Sequence, residues 1–197
     1  MKKLLAIVFA GAMFFLAPAL AFAAPAAGTV IGNQATATYN DAGGNARTTT
    51  SNLVQTTVTQ VKIFTLTANG ARTAAPGQTV YYPHTLTNTG NGTDTYTLNA
   101  PLSSSFGPGP HAALAYFIDA NGDGVPDNAT PINSSGAIAA GGTFRFVVAG
   151  TVPAAAASGS TATITVSASD TTPTTLTNLD TTTVANSVIN ATKSLSS

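Results

Sequence analysis

Apolar and polar residues alternate one by one along much of this chain, and this pattern constrains the fold more than any other sequence feature. In the segment 79–87, Val80, Tyr82, His84 and Leu86 fall on one face of an extended backbone. Alternation with period two is typical of a β-strand with one buried face. Threonine, which favours extended backbone, occupies many of the remaining positions. Long stretches of apolar residues at three-and-four spacing are absent, so the sequence predicts an all-β protein.

Turns rich in Gly, Asn, Asp and Pro divide the alternating segments into β-strands. Residues 29–59 are predicted to form a β-hairpin around a turn at 41–45. The later strands are predicted at 61–68, 79–87, 93–98, 112–118, 144–148, 161–168 and 182–191, with a polar loop at 119–142 and with 93–98 pairing back onto 79–87. About seven strands is the number typical of an immunoglobulin-like sandwich of two sheets.

The fold prediction is therefore an all-β, immunoglobulin-like β-sandwich of about seven strands with an extra N-terminal β-hairpin and an extra C-terminal strand. The predicted parts are a signal peptide at 1–23, an N-terminal β-hairpin segment at 24–59, a sandwich at 60–186 and a C-terminal candidate donor strand at 187–197.

The N-terminal segment has the pattern of a secretory signal peptide. Lys2 and Lys3 precede an apolar run at 4–20, and Ala21-Phe22-Ala23 offers small residues before a cleavage at Ala24. Retention of the run as a membrane anchor is the alternative, although the run is short and its downstream flank carries no charge. Because no second run of spanning length follows, we expect no membrane span in the mature chain and a secreted protein, extracellular or at the cell surface.

Charge is scarce in this sequence, and its scarcity excludes several classes of function. Charged residues make up 7% of the chain, against roughly 25% in typical soluble domains. The few basic residues form no cluster, which argues against binding to nucleic acid. Without Cys the chain has no disulfide or thiolate metal site. A nearly neutral, Thr-rich surface offers little charge repulsion against self-association.

One segment resembles a known bacterial signature. Pro76-Gly77 precedes an alternating strand containing Tyr81 and Tyr82, and Asn88-Thr89-Gly90 follows it. This run resembles the conserved-repeat surface domain called domain of unknown function eleven, and the resemblance covers roughly residues 60–185. It implies an immunoglobulin-like module of extracellular adhesin-like and matrix proteins without catalytic residues. Pro83 and His84 depart from the family pattern, and Pro83 predicts a sheet edge or a bulge.

The C-terminal segment 188–197 is similar to residues 61–68, the predicted opening strand of the sandwich. In tandem arrays of the resembled family, the last strand of one module leads into the first strand of the next. We therefore expect a strand without a module of its own, available for donation. The expected partners are copies of the same chain in a head-to-tail homopolymer, or other surface proteins. The expected function is a structural subunit of an extracellular filament or biofilm matrix. The alternatives are termini that pair within one monomer and a unit of a longer multi-domain surface protein, in which this module is a spacer.

The sequence 119–127 has oxygen-bearing side chains at the spacing of a calcium loop. The predicted ligands are Asp119, Asn121, Asp123 and Asp127, and Gly124 stands at the sixth position, where the chain bends sharply. Thr130 occupies the twelfth position, where a bidentate Glu usually completes such a site. The pattern favours a weak structural calcium site. A loop of Asx turns that needs no ion is the alternative.

Catalytic patterns are not found in the sequence, so we expect no enzyme activity. His84 and His111 are far apart, and no Gly-x-Ser-x-Gly motif is present. His84 is predicted to be a packed, hydrogen-bonded residue of the inward face. A binding function as an adhesin or carbohydrate-binding module would need an exposed aromatic platform, for which Tyr81 and Tyr96 are the candidates.

Overall fold

Thirteen β-strands and no helix make up the described part of the chain, residues 24–172 and 174–185 of a computed structural model. The strands are β1 Val30–Asn33, β2 Thr36–Asn40, β3 Ala46–Thr50, β4 Val54–Thr57, β5 Phe64–Leu66, β6 Ala71–Ala74, β7 Thr79–Asn88, β8 Asp94–Ser103, β9 Ala112–Ile118, β10 Ser134–Ile138, β11 Thr143–Thr151, β12 Thr161–Ser169 and β13 Thr175–Val184. The predicted signal peptide (1–23), the predicted donor strand (187–197) and residue 186 lie outside the described residues. No helix among the described residues is long and apolar enough to cross a membrane.

Two packed sheets form an immunoglobulin-like sandwich, so the predicted fold class is confirmed. One sheet has the order β5-β7-β11-β9, and the other has the order β10-β8-β12-β13-β6. The first order and the β8-β12-β13 part of the second match the A-B-E-D and C-F-G arrangement of immunoglobulin-like domains. The first strand is divided between the sheets, because β5 pairs antiparallel with β7 while β6 pairs parallel with β13.

The N-terminal hairpin consists of two short ladders separated by a break. β1 pairs with β4, and β2 pairs with β3 beyond it, both antiparallel. The turn at its tip is held by the Asp41 carboxylate, which accepts hydrogen bonds from the N–H groups of Gly43 and Asn45. Neither ladder joins the sheets of the sandwich.

The core lies between the two sheets and follows from the alternation in the sequence. In β7 the side chains of Val80, Tyr82, His84 and Leu86 are buried, as the period of two predicts. Phe146 in β11 and Ile164 in β12 are fully buried. In β12 the alternating Thr and Ser residues are exposed or half-buried, so this strand has one core face and one solvent face, whereas β11 is buried on both faces from Phe146 to Gly150.

Several strand predictions were wrong in place or in pairing. The predicted strand at 61–68 is reduced to β5, because the chain leaves the sheet after Thr67 to form β6. Residues 93–98 belong to β8, which crosses to the other sheet and pairs with β10 and β12 rather than with β7. β10 lies within the predicted polar loop at 119–142. The last described strand, β13, ends at Val184, near the start of its predicted range.

Candidate functional site

No strand of the N-terminal hairpin has a buried face, and the half-buried apolar residues of the described segment 24–59, Ala27 and Val58, lie at its base. Every residue of its four strands is exposed. Its exposed large apolar side chains, with their exposed fractions, are Val30 at 54%, Ile31 at 49%, Tyr39 at 55%, Leu53 at 52% and Val54 at 62%. Isolated exposed apolar residues are common on proteins, but a whole hairpin without a buried face is not. The hairpin is therefore the candidate assembly surface of the described chain.

Asn91 fastens the base of the hairpin to the sandwich. Its side-chain amide donates hydrogen bonds of 3.1 Å to the carbonyl oxygens of Pro25 and Thr59, one on each side of the hairpin. Its backbone carbonyl accepts a bond of 2.9 Å from the N–H of Ala27. Among the described residues these hydrogen bonds to the sandwich involve the base of the hairpin, and the four strands extend away from it.

The two charged side chains of the hairpin form an ion pair with each other. The Arg47 guanidinium donates to the Asp41 carboxylate at 2.9 Å, next to the turn. The N–H of Asn45 and then the Arg47 side chain lower the pKa of Asp41 below its usual value. Asp41 and Arg47 are the only charged residues between 24 and 59, so no charge repulsion opposes contact between two hairpins.

The Asn-Thr-Gly run at the end of β7 closes the corner where the chain crosses between the sheets. The buried Asn88 amide donates to the carbonyl oxygens of Gly92 and Ile138, both at 2.9 Å, and its side-chain oxygen accepts from the N–H of Gly90. A Cβ on Gly90 would lie 2.3 Å from the Val61 carbonyl oxygen, so only glycine fits there. Asn88 and Gly90, two residues of the run singled out in the sequence, thus have structural roles in this corner.

The predicted calcium ligands lie together in one surface loop, and their oxygens accept hydrogen bonds from the loop itself. Asp119 is buried at 1% exposure, and its carboxylate accepts from the N–H groups of Gly122, Asp123 and Gly124 at 2.9 to 3.1 Å. Asp127 accepts from the N–H of Ala120 at 2.7 Å. These contacts are those of the alternative interpretation, a set of Asx turns.

Asn121 and Asp123 complete the loop. The N–H of Asp123 donates to the Asn121 side-chain oxygen at 3.0 Å, and the Asn121 amide donates to the Asp123 carboxylate at 3.0 Å. No group of three or more His and Asp side chains within the described ranges has the geometry of a metal site. Calcium binding by these four residues stays a prediction from the sequence.

Both histidines are buried and hydrogen-bonded. His84 Nε2 lies 2.9 Å from an Asp180 carboxylate oxygen, and both side chains are fully buried between the sheets. His111 Nδ1 lies 2.7 Å from the Ser103 hydroxyl, and its Nε2 lies 2.8 Å from the Thr182 hydroxyl. The contact between Ser103 and His111 has no carboxylate on the far side of the imidazole, as a nucleophile and base pair of the Ser-His-Asp type would need. Absence of enzyme activity stays a prediction.

One of the two aromatic candidates for a carbohydrate platform is inaccessible. Tyr96 has no exposed surface, and its ring packs 4.7 Å from that of Phe64. Burial, and then the nearby Asp94 and Asp170 carboxylates, raise the pKa of Tyr96 to about 12. Tyr81 is half-buried beside a groove on β7. The predicted platform of Tyr81 and Tyr96 is therefore not formed.

Comparisons with known proteins identify no family for this chain. No family model and no curated protein matches the chain, so the resemblance to domain of unknown function eleven stays a prediction. Similar solved structures include a family 123 glycoside hydrolase from Clostridium perfringens, at 11% identity and a TM-score of 0.38 over 61% of this chain. Another is the PapD-like domain 7 of human CEP192, at 14% identity and a TM-score of 0.36, covering 64% of this chain and 87% of that chain.

AggA, the major subunit of aggregative adherence fimbriae type I from Escherichia coli, is also similar, at 12% identity and a TM-score of 0.31 over 64% of this chain and 95% of that chain. The chain spans 23% of the length of the glycoside hydrolase. At these identities and TM-scores the likeness supports no statement about function. The sheet order and the free hairpin define the protein as an immunoglobulin-like β-sandwich with an appended, exposed β-hairpin.

Proposed function

We propose that the protein is a structural subunit of an extracellular filament or biofilm matrix and that it assembles by β-strand donation between subunits. The observation that carries this proposal is the hairpin at 30–57, in which every strand residue is exposed. A two-stranded hairpin is marginally stable in water when it packs against nothing. Contact with a neighbouring copy would give its strands the packing that its own sandwich does not provide.

Composition supports the same proposal. The strands of the hairpin are rich in Thr, which suits a pleated surface, and their free edges offer unpaired backbone groups. Charged residues and Pro, which soluble proteins place on exposed strands to prevent pairing, are absent from β1, β2 and β4. Strand addition uses such edges, with main-chain hydrogen bonds giving affinity and alternate side chains giving register.

The proposal places the protein outside the cell. The signal-peptide pattern at 1–23 and the resemblance to surface-protein repeats support that location. Residues 187–197, the predicted donor strand, lie outside the described residues, so the argument rests on the hairpin. A donor segment at 187–197 would also add to a neighbouring sheet through main-chain hydrogen bonds.

Sedimentation velocity and negative-stain electron microscopy of the purified protein test this function. We expect filaments or large oligomers that grow with concentration. Ile31→Asp and Val54→Asp place carboxylates on one face of the hairpin, where both side chains are about half exposed, so the fold should persist while assembly is lost. Leu102→Asp is the matched control, because Leu102 is 68% exposed on the sandwich strand β8.

The expected outcome is a monomer for both hairpin variants, with unchanged melting temperatures and normal assembly of Leu102→Asp. A wild-type protein that stays monomeric at all concentrations would overturn the proposal. So would hairpin variants that assemble as the wild type does.

A further inference from the structure

β7 has an open edge along its first half. β5 covers only the end of β7, pairing Phe64 with Asn88 and Leu66 with Leu86. Beyond β5, the N–H of Thr67 donates to the Thr85 carbonyl at 3.0 Å, and the N–H of Thr85 donates to the Thr67 hydroxyl at 2.8 Å. After Thr67 the chain turns away to form β6 in the other sheet.

The register of β7 shows which backbone groups this edge leaves free. Thr85 directs its N–H and C=O away from β11, and residues two apart in a strand point the same way. Thr79, Tyr81 and Pro83 therefore also face the open side. Within the described residues, no hydrogen bond reaches the N–H or C=O of Thr79 or Tyr81, or the C=O of Pro83. The sequence-based prediction that Pro83 marks an edge agrees with this geometry, because proline has no N–H to leave unpaired.

A groove of about 480 Å³ runs along this open edge. β7 forms one wall through Thr79 and Tyr81, the loop residues Asp123 and Val125 border it, and β6 forms the opposite wall through Thr73. The carbonyl of Gly70, just before β6, and the carbonyl of Ala74, at its end, accept hydrogen bonds from the N–H groups of Thr181 and Ala185 on the β13 side. By alternation, the backbone groups of the intervening Ala71 and Thr73 point away from β13.

We propose that the open edge of β7 at Thr79–Pro83 is the acceptor for strand β2 of the N-terminal hairpin of a second copy. This inference rests on the proposed assembly function and names its docking site. β2 spans Thr36–Asn40, which equals the open stretch of β7 in length. It is uncharged, lacks Pro and is exposed along its whole length, whereas its partner β3 carries Arg47.

Donor and acceptor are different surfaces of the chain. A contact between them is heterologous, so each copy both donates and accepts, and the assembly extends as an open chain unless its rotation closes a ring. Incoming backbone groups would pair with the N–H groups of Thr79 and Tyr81 and with the free carbonyls of the edge. Mutual pairing would also satisfy one free edge of the donating hairpin.

Thr79→Pro tests the acceptor, with Thr79→Ala as the matched control. Proline removes the outward N–H and crowds the edge, but it spares the ladder with β11, because Pro83 already occupies an equivalent position in that ladder. Alanine removes the same side chain and keeps the N–H. We expect the critical concentration for assembly to rise about tenfold or more in Thr79→Pro, and to change little in Thr79→Ala.

Amide hydrogen exchange at Thr79 and Tyr81 gives an independent readout. We expect fast exchange of both amides in dilute monomer and slow exchange in the assembled protein. If the wild type assembles while Thr79→Pro assembles equally well and both amides stay unprotected, the acceptor assignment is wrong and the assembly function stands. If the wild type does not assemble under any condition, both proposals fail.

Discussion

Polar side chains join the two sheets across the core. His84 in β7 contacts Asp180 in β13 at 2.9 Å, and the other Asp180 oxygen accepts from the N–H of Gly70 at 2.7 Å. Tyr82, which is also in β7, donates a hydrogen bond of 2.7 Å to the Thr181 carbonyl of β13. Gly70 directly precedes β6, the part of the first strand that lies in the other sheet. Asp180 in β13 therefore links the start of β6 to β7 across the core.

Asp180→Ala should strongly destabilise the fold. The substitution leaves His84 Nε2 and the N–H of Gly70 without partners in the interior, at a cost of about 3 kcal/mol in the free energy of unfolding. Urea unfolding followed by circular dichroism measures this change. Arg47→Ala is the control, because it breaks an exposed ion pair and should leave the midpoint nearly unchanged. Equal midpoints for Asp180→Ala and the wild type would contradict this role of Asp180.

His111 should make stability depend on pH. Burial lowers its pKa below the ordinary value near 6.5, so the unfolded state takes up a proton at a higher pH than the folded state does. The contribution of neutral His111 is therefore fully present above about pH 6.5, and it is lost as the pH falls below that value. The side chains that contact its ring are Ser103, Thr182 and Phe106, none of which would compensate a positive charge.

Urea midpoints between pH 7.5 and pH 5 measure this effect, with His111→Gln as the comparison. We expect the wild type to lose more stability on acidification than the variant, because the variant lacks the titrating ring. His84 is present in both proteins, so the difference reports His111 alone. Parallel pH profiles for the two proteins would show that His111 does not contribute.

Strands with an apolar inward face were predictable from the sequence, and strands with a polar inward face were not. β7 and β12 follow the alternation because one face of each lies in the core, whereas the central strand β11 is buried on both faces from Phe146 to Gly150. β13 directs Asn178, Asp180 and Thr182 inward, where residues distant in the sequence satisfy them. Local sequence cannot reveal those partners, so the predicted last strand began too late.

The candidate assembly surface was predictable only in part. The hairpin at 29–59 follows from its alternation and its turn at 41–45, but its complete exposure depends on where the chain meets the sandwich at Asn91. The open edge of β7 depends on the end of β5 at Leu66, which the sequence placed two residues later, at Ala68. In the register of β5 with β7, residues 69–73 would have to continue β5 to pair with Thr79–Pro83, and the chain instead leaves this sheet to form β6.

The loop at 119–127 allows a test of the calcium prediction. If Asp119, Asn121, Asp123 and Asp127 hold calcium, millimolar calcium should raise the melting temperature of the wild type relative to a chelated sample. Asp123→Asn should reduce this shift. Asp119→Ala should lower the melting temperature with or without calcium, because three backbone N–H groups lose their acceptor. A wild-type melting temperature that does not respond to calcium would leave the loop as Asx turns alone.

At the scale of the whole molecule, the sandwich and the hairpin should differ in local stability. The strands of the sandwich share a core, whereas the hairpin strands bury no residue. Opening of the hairpin therefore costs little free energy, and opening of a central sandwich strand costs much of the global stability. Trypsin can report this difference, because Arg47 lies in β3 of the hairpin and Arg145 lies in β11, which is paired on both sides.

In dilute protein we expect trypsin to cut after Arg47 well before it cuts after Arg145, with the products identified by mass spectrometry. In assembled protein, pairing of the hairpin with a neighbour should slow the cut after Arg47, and Arg72 at the groove wall should gain protection as well. Arg145 serves as the internal control, since its strand is already closed in the monomer. Equal cleavage rates after Arg47 in dilute and assembled protein would mean that the hairpin takes no part in assembly, whatever contacts hold the copies together.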